Sequence, residues 1–287
     1  MDGARKTGNR ETESQIFFPV TLQELFTTWN RFPQAVIYAG GTGAGRYQGS
    51  NYKLDYPSHI ISLEELDELH RITRTERYLE IGAMVTLNEI INLGKIVPAA
   101  FTQALREIAG PQVRNIITLG GHISYPLKRL DAAAPLIALD ARYELRTAQA
   151  IRWISAPRFS SLPGPPPVNP QELLTRIRMP LEPWNYSRYK KFKDPFAGQQ
   201  AGVMVFAVRY QKNILSDIRV VFTGETVIRD QNSETFLTGK QLPLDKRDAA
   251  HFLELWEDSL SPLDNPHPML RAKMLNFIEY CILELTD

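Results

Sequence analysis

Apolar residues in this chain come in short bursts separated by polar or glycine-rich segments, and the bursts alternate between helical and extended grammar. In the first, over 17–29, Thr21 and Glu24 have the spacing of a capping box and Val20 and Leu25 occupy the positions of a hydrophobic staple, so a helix is expected to start at Leu22. Ala35, Val36, Ile37, Tyr38 and Ala39 then form a β-leaning run that stops at Gly40, the pattern of a buried strand entering a loop. The same grammar repeats. A strand is expected at 59–62, with Ser62 and Glu65 as a second capping box, then a strand at 79–83 and a helix opened by Thr86 and Glu89. Residues 99–108 read as a helix closed by Gly110 and Pro111.

The second half begins with alternating strands at 142–147 and 151–154 and a run of five prolines within 162–170, which favours an extended spacer or a ligand for a proline-binding module. Residues 173–179 read as one more strand of the first half. Residues 184–192, 202–211 and 215–223 read as an antiparallel sheet, followed by helices at 245–260 and 268–285 with apolar faces. Strands followed by helices predict an α+β second part, with a boundary near 180.

Composition removes several function classes. The chain has 33 Lys and Arg against 32 Asp and Glu, which argues against a nucleic-acid-binding surface. One cysteine, Cys281, leaves no means of building an internal disulfide, a Cys-rich zinc site or a protein-ligated iron–sulfur cluster, and points to a reducing compartment, the cytoplasm. The polar start of the chain lacks the apolar core of a secretory signal, and 201–208, among the longest apolar runs, is far short of the roughly 20 residues of a membrane span.

Two glycine segments carry the candidate chemistry. Ala39, Gly40, Gly41, Thr42, Gly43, Ala44 and Gly45 hold four glycines in seven residues directly after an apolar strand. Such a loop is either a tight turn or a nest of backbone N–H groups for phosphate oxygens. The second segment is Ile117, Thr118, Leu119, Gly120, Gly121, His122, Ile123 and Ser124, with Arg114 and Asn115 before it and Asp131 after it. Together the two suggest backbone surfaces converging on one extended anionic ligand, such as a dinucleotide. No catalytic side chain and no metal-ligand set is evident.

These segments resemble the FAD-binding medium subunits of the molybdenum hydroxylases, the family of xanthine dehydrogenase and carbon monoxide dehydrogenase. The family's A-G-G-T-[DS] is matched by 39–42, and its R-N-x-A-T-[IL]-G-G-N-[IL] by 114–123. Asp131 keeps the family's interval of nine residues after the position of His122, and 136–141 resembles its L-L-A-L-[DG]-A. Further echoes run from 60–66 through 79–86 and 172–180 to 203–224 and the final helix.

The resemblance implies a PCMH-type FAD-binding domain over 16–180, in subdomains 16–60 and 61–180, after a polar tail at 1–15 and before a smaller α+β domain at 181–287. It implies noncovalently bound FAD in an extended conformation, with its pyrophosphate over residues 39–45 and 117–122 and with Ser124 nearby. Asp131 becomes a cofactor-loop residue as well as a helix N-cap, and Leu174, or its neighbour Leu173, packs against the cofactor or serves the core. Lys190 is either near the isoalloxazine ring or a solvated strand lysine. The implied partners are a [2Fe-2S] subunit and a molybdopterin-binding large subunit, with NAD or another acceptor receiving the electrons. The chain departs from the family at Gly43, for Asp or Ser, at His122, for Asn, and at 126–128, for A-S-P. His122 is then either a flavin-facing group or a histidine satisfied by neighbouring backbone. Two functional readings follow: a working electron-transfer flavoprotein subunit, or a scaffold subunit that binds FAD weakly or not at all. A free-standing flavin oxidase or reductase is less favoured, since no further substrate-binding segment is visible.

Overall fold

The computed structural model describes residues 15–43, 57–125, 131–160, 167–193, 200–263 and 267–286. Of the sequence expectations, Ala44, Gly45, the 126–128 departure and the first part of the proline run lie outside the described residues.

The chain begins with a parallel three-stranded sheet of β1 (Gln15–Phe17), β2 (Val36–Tyr38) and β3 (His59–Ser62), with β3 in the middle. Helix α1 (Leu22–Arg31) connects β1 to β2. Its N-terminus is built as expected: Thr21 Oγ1 accepts the Glu24 N–H at 3.1 Å, and Glu24 Oε2 accepts the Val20 N–H at 3.0 Å. Such a cap is worth about 1 kcal/mol. The buried face of the helix, Leu22, Leu25 and Phe26, packs with Ile61, Leu66 and Leu69 into a small core.

The second sheet has five strands, β4 (Ile72–Arg74), β5 (Tyr78–Gly82), β6 (Arg142–Arg146), β7 (Ile151–Ser155) and β8 (Leu173–Pro180), in the order β4-β5-β8-β6-β7 with every pair antiparallel. The segment between β5 and β6 is helical: α2 (Leu87–Asn92), α3 (Ala99–Arg106), α4 (Pro111–Arg114), α5 (Leu119–Ile123) and α6 (Ala133–Ala138). Phe101, Leu105, Leu119 and Leu136 from these helices share one core with Ile81, Tyr143 and Ile177 of the sheet. Strand β8 starts at the junction of the two cores, because Leu173 joins the small one and Leu174 the large one. After α7 (Ala156–Ser160), Arg152 holds the return to β8 by pairing with Glu172 at 2.6 Å and donating to the Pro167 carbonyl at 3.0 Å.

The third sheet is antiparallel, in the order β12-β11-β10-β9: β9 (Tyr186–Lys193), β10 (Gln200–Gln211), β11 (Ile214–Thr223) and β12 (Val227–Ile228). It is buried on both faces. Alternate residues of a strand point to opposite sides, so Val203, Val205 and Ala207 join the large core beneath α3 and α6. Met204, Phe206 and Val208 instead meet Phe252, Trp256 and Ile278 of α9 (Lys246–Ser259) and α10 (Pro268–Leu283). Asp230 caps α8 (Gln231–Leu237) on that same side. The chain changes sheet after Pro180, and the third sheet shares a core with the helices before it.

The fold is α+β, as expected. Two local expectations are corrected. Ser62 and Glu65 open no helix: Ser62 Oγ accepts the Glu64 N–H at 3.3 Å in a short side-chain turn, and the chain passes into a 3-10 turn at Asp67–Leu69. Asp131 is not the N-cap of α6; Ala132 holds that position without a side-chain cap, because Asp131 is engaged elsewhere.

Candidate cofactor site

Both glycine segments end up side by side. The first leaves β2 at the parallel sheet's edge, and Gly40 fits so closely against the segment before α5 that an added Cβ would stand 1.6 Å from the Ile116 carbonyl oxygen. An added Cβ on Gly121 would lie 3.8 Å from the Ala39 methyl, and one on Gly43 would lie 3.2 Å from the Tyr125 ring. Gly41 has φ +70°, a left-handed conformation that glycine adopts at no steric cost, with the Tyr38 hydroxyl 2.0 Å from where a Cβ would be.

Their hydrogen-bonding states differ. The N–H groups of Gly40, Gly41, Thr42 and Gly43 donate to no other described residue. The second segment is a short helix whose donors are largely used. Leu119 N–H bonds Val85 O at 2.9 Å, Gly120 N–H bonds Ala83 O at 2.8 Å and His122 N–H bonds Thr118 O at 3.0 Å. Thr118 Oγ1 accepts the Gly121 N–H at 3.2 Å as the helix cap. Gly120 is required by packing, since a Cβ there would stand 2.6 Å from that of Ala83. Ser124, the C-cap of α5, donates its N–H back to Gly120 O at 2.9 Å. Ile117 is half-buried against the large core.

His122 is buried, and its Nε2 accepts the Ala132 N–H at 3.4 Å, so the ring proton of the neutral form sits on Nδ1. Of the two sequence alternatives, the geometry is that of a histidine satisfied by neighbouring backbone. Burial pushes its pKa down to about 4, against the pull of Asp131 in the other direction and with help from Lys191.

Asp131 is 5% exposed and meets the third sheet: Tyr189 donates its hydroxyl to Oδ1 at 3.0 Å, and Lys191 Nζ lies 2.9 Å from the same oxygen. Burial and the nearby carboxylate push the Tyr189 phenol far above its ordinary range. Tyr189 and Lys191 share one face of β9, while Lys190 is exposed on the other, opposite Met204. The structure therefore gathers residues 39–43, 117–124 and 131, keeps Leu174 within the core opposite Leu145, and sets Lys190 apart. Sequence reasoning missed Tyr189 and Lys191; the two-residue spacing Tyr-x-Lys on a strand was their only trace. A cavity of about 630 Å³, between the turn at Gly94–Ile96, α3 and residues 181–184, is lined by none of the expected site residues.

A row of backbone donors without acceptors among the described residues, on a turn with Gly41 in the left-handed region and backed by a second glycine segment, suits the pyrophosphate of an extended dinucleotide. Among curated relatives, the chain is 29% identical over 234 residues to the putative xanthine dehydrogenase FAD-binding subunit of Escherichia coli (strain K12), covering 78% of each. It is 27% identical over 256 residues to the nicotine 6-hydroxylase medium subunit of Paenarthrobacter nicotinovorans, covering 87% of this chain and 88% of that one. Its fold is similar to that of a chain of quinoline 2-oxidoreductase from Pseudomonas putida 86, with TM-score 0.80, 22% identity and coverage of 96% and 97%. It is equally similar to a chain of carbon monoxide dehydrogenase from Hydrogenophaga pseudoflava, with TM-score 0.79, 23% identity and the same coverage. Residues 12–182 match the family model described as the FAD binding domain in molybdopterin dehydrogenase, and the chain belongs to that family of oxidoreductase flavoprotein subunits.

Proposed function

We propose that this chain is the FAD-binding, electron-transferring subunit of a multi-subunit molybdenum hydroxylase of the cytoplasm. In this reading it receives electrons from a [2Fe-2S] partner, itself supplied by a molybdopterin-binding large subunit, and delivers them to NAD or another acceptor. The observation that carries the reading is the set of N–H groups at Gly40, Gly41, Thr42 and Gly43 without an acceptor among the described residues, beside the second glycine segment. A hydrogen bond to a charged group contributes roughly 1.5–3 kcal/mol, so a few such donors suffice to hold a pyrophosphate without a basic side chain. When bound, FAD supplies the two-electron and one-electron chemistry; the protein holds it and excludes water around it. Residues 16–180 form the cofactor-binding part and 181–287 the part that closes over its helices, with the shared core of the third sheet supporting that arrangement.

A second reading, a scaffold subunit with weak or no FAD binding, is favoured by one observation: the donors of residues 119–122 are committed within the chain. The visible absorbance spectrum of the purified chain, before and after addition of FAD, separates the two. The flavoprotein reading expects about one flavin per chain, released on heat denaturation, and a melting temperature that rises with free FAD. A colourless protein whose melting temperature ignores excess FAD would leave the scaffold.

A further inference from the structure

The cavity of about 630 Å³ beside α3 shares none of its described lining residues with the glycine segments. Two parts of the chain make its walls. One is the turn Gly94–Ile96 with α3; the other is the link from β8 to β9, residues 181–184, with Ser187 of β9. Ligand pockets occur preferentially at such junctions, and small-molecule sites measure roughly 300–1,000 Å³. The sequence explains which groups line it. Phe101, Ala104 and Leu105 turn one side of α3 into the large core, which leaves Gln103 and Arg106 on the other, toward the cavity. Across from them Leu181 and Trp184 pack on the large core, and with Ile96 and Val97 they give the cavity an apolar wall.

The charges in the cavity are uneven. Lys95 and Arg106 line it, and neither has an ion pair among the described residues. Glu182, the one carboxylate among the described lining residues, is already paired with Arg209. The Arg209 guanidinium also lies 5.2 Å from the centroid of the Trp184 ring. Trp184 lines both this cavity and a smaller one of about 140 Å³, whereas Arg209 lines only the smaller. The indole therefore stands between the two cavities with its arginine on the smaller side. On an open surface two such cations would simply be solvated. In a concavity beside an indole, their charge and the apolar wall act on the same ligand, and both favour a flat ring that carries a negative charge. We propose that this cavity is a binding site for a small aromatic anion of the aromatic carboxylate kind, with its ring against Trp184 and its anionic group at Lys95 and Arg106. Gln103 and Ser187 supply neutral hydrogen-bonding groups on the two walls. The proposal stands apart from the FAD reading, because no residue of the glycine segments takes part in it.

The test uses the full-length chain and titration calorimetry with naphthoate as the probe, naphthylmethanol as its uncharged counterpart and acetate as an anion without a ring. Naphthoate is expected to bind with a Kd below about 1 mM, and each of the other two at least about tenfold more weakly. Lys95→Met and Arg106→Met, both at exposed positions, are each expected to weaken naphthoate severalfold and to leave naphthylmethanol unchanged. Trp184→Leu is expected to weaken both ring compounds; if that variant fails to fold, the two cation variants decide the matter. Excess FAD is expected to leave naphthoate binding unchanged. Naphthoate binding that FAD displaces, or that survives both cation variants, would place the ligand elsewhere and overturn the proposal. Equal affinity for naphthylmethanol, or no naphthoate binding at about 1 mM, would overturn it as well.

Discussion

Gly40 and Ile116 touch backbone to backbone: the place a Cβ would take on Gly40 is 1.6 Å from the Ile116 carbonyl oxygen. Neither atom belongs to a side chain that could turn aside, so the contact sets how closely the first glycine loop approaches the segment before α5.

Gly40→Ala therefore has to push the two loops apart. The expected destabilisation is about 3 kcal/mol, the upper end of ordinary overpacking. A denaturant melt reads this cost, and FAD titration should show binding lost more completely than stability, because the displaced backbone carries the donors that have no acceptor among the described residues. A variant that melts and binds as the wild type does would mean that the loops are not in contact.

His122 gives the chain a pH dependence with a definite sign. Its folded-state pKa is about 4 against an ordinary 6.5, because burial disfavours the charged ring. The unfolded chain therefore binds the extra proton first as the pH falls. The contribution to stability is fully present above pH 6.5 and is lost progressively as the pH drops toward 4, over a span worth about 3 kcal/mol. His122→Asn should flatten the stability profile between those limits. Denaturant midpoints measured across this range check it, and an equal slope in both proteins would rule His122 out as its source.

What was legible in the sequence is what depends on near neighbours. The Thr21 and Thr86 caps, the long strands β10 and β11 and the two final helices follow from spacing over a few residues, and all are present. Helix α5 was not legible, because two glycines in five residues cost about 1 kcal/mol each in helix propensity. It forms because Thr118 caps it and the carbonyls of Ala83 and Val85 take its first donors, contacts made across the fold. Tyr189, which donates to Asp131, was hidden for the same reason, lying 58 residues further along the chain on β9. The sequence drew attention to Lys190, but a strand alternates faces at every residue, and the burial of Tyr189 and Phe192 on opposite sides puts Lys191, not Lys190, toward Asp131.

The two-faced third sheet makes its own prediction. Phe206 is fully buried against α9 and α10, whereas Val205 is buried against the helices of the large core. Phe206→Ala should cost about 3–5 kcal/mol and Val205→Ala clearly less. Hydrogen exchange should also separate them: Phe206→Ala should speed exchange first in α9 and α10, and Val205→Ala in α3 and α6. Indistinguishable exchange patterns would mean that the sheet does not divide two cores.

Gly43 stands where the family carries Asp or Ser, and Tyr125 offers a physical reason. A Cβ on Gly43 would come within 3.2 Å of the Tyr125 ring, tight enough that the ring must yield by a few tenths of an ångström. Restoring a side chain at this position should therefore weaken FAD binding while Tyr125 is present, because the yielding ring disturbs the glycine loop of residues 40–43. In a Tyr125→Ala background the same change should be harmless. The cycle of Gly43→Ala, Tyr125→Ala and the double variant, read by FAD titration, should give a coupling of about 1 kcal/mol, as residues in direct contact do. Additive effects would mean that the ring does not constrain position 43, and the departure from the family pattern would need another cause.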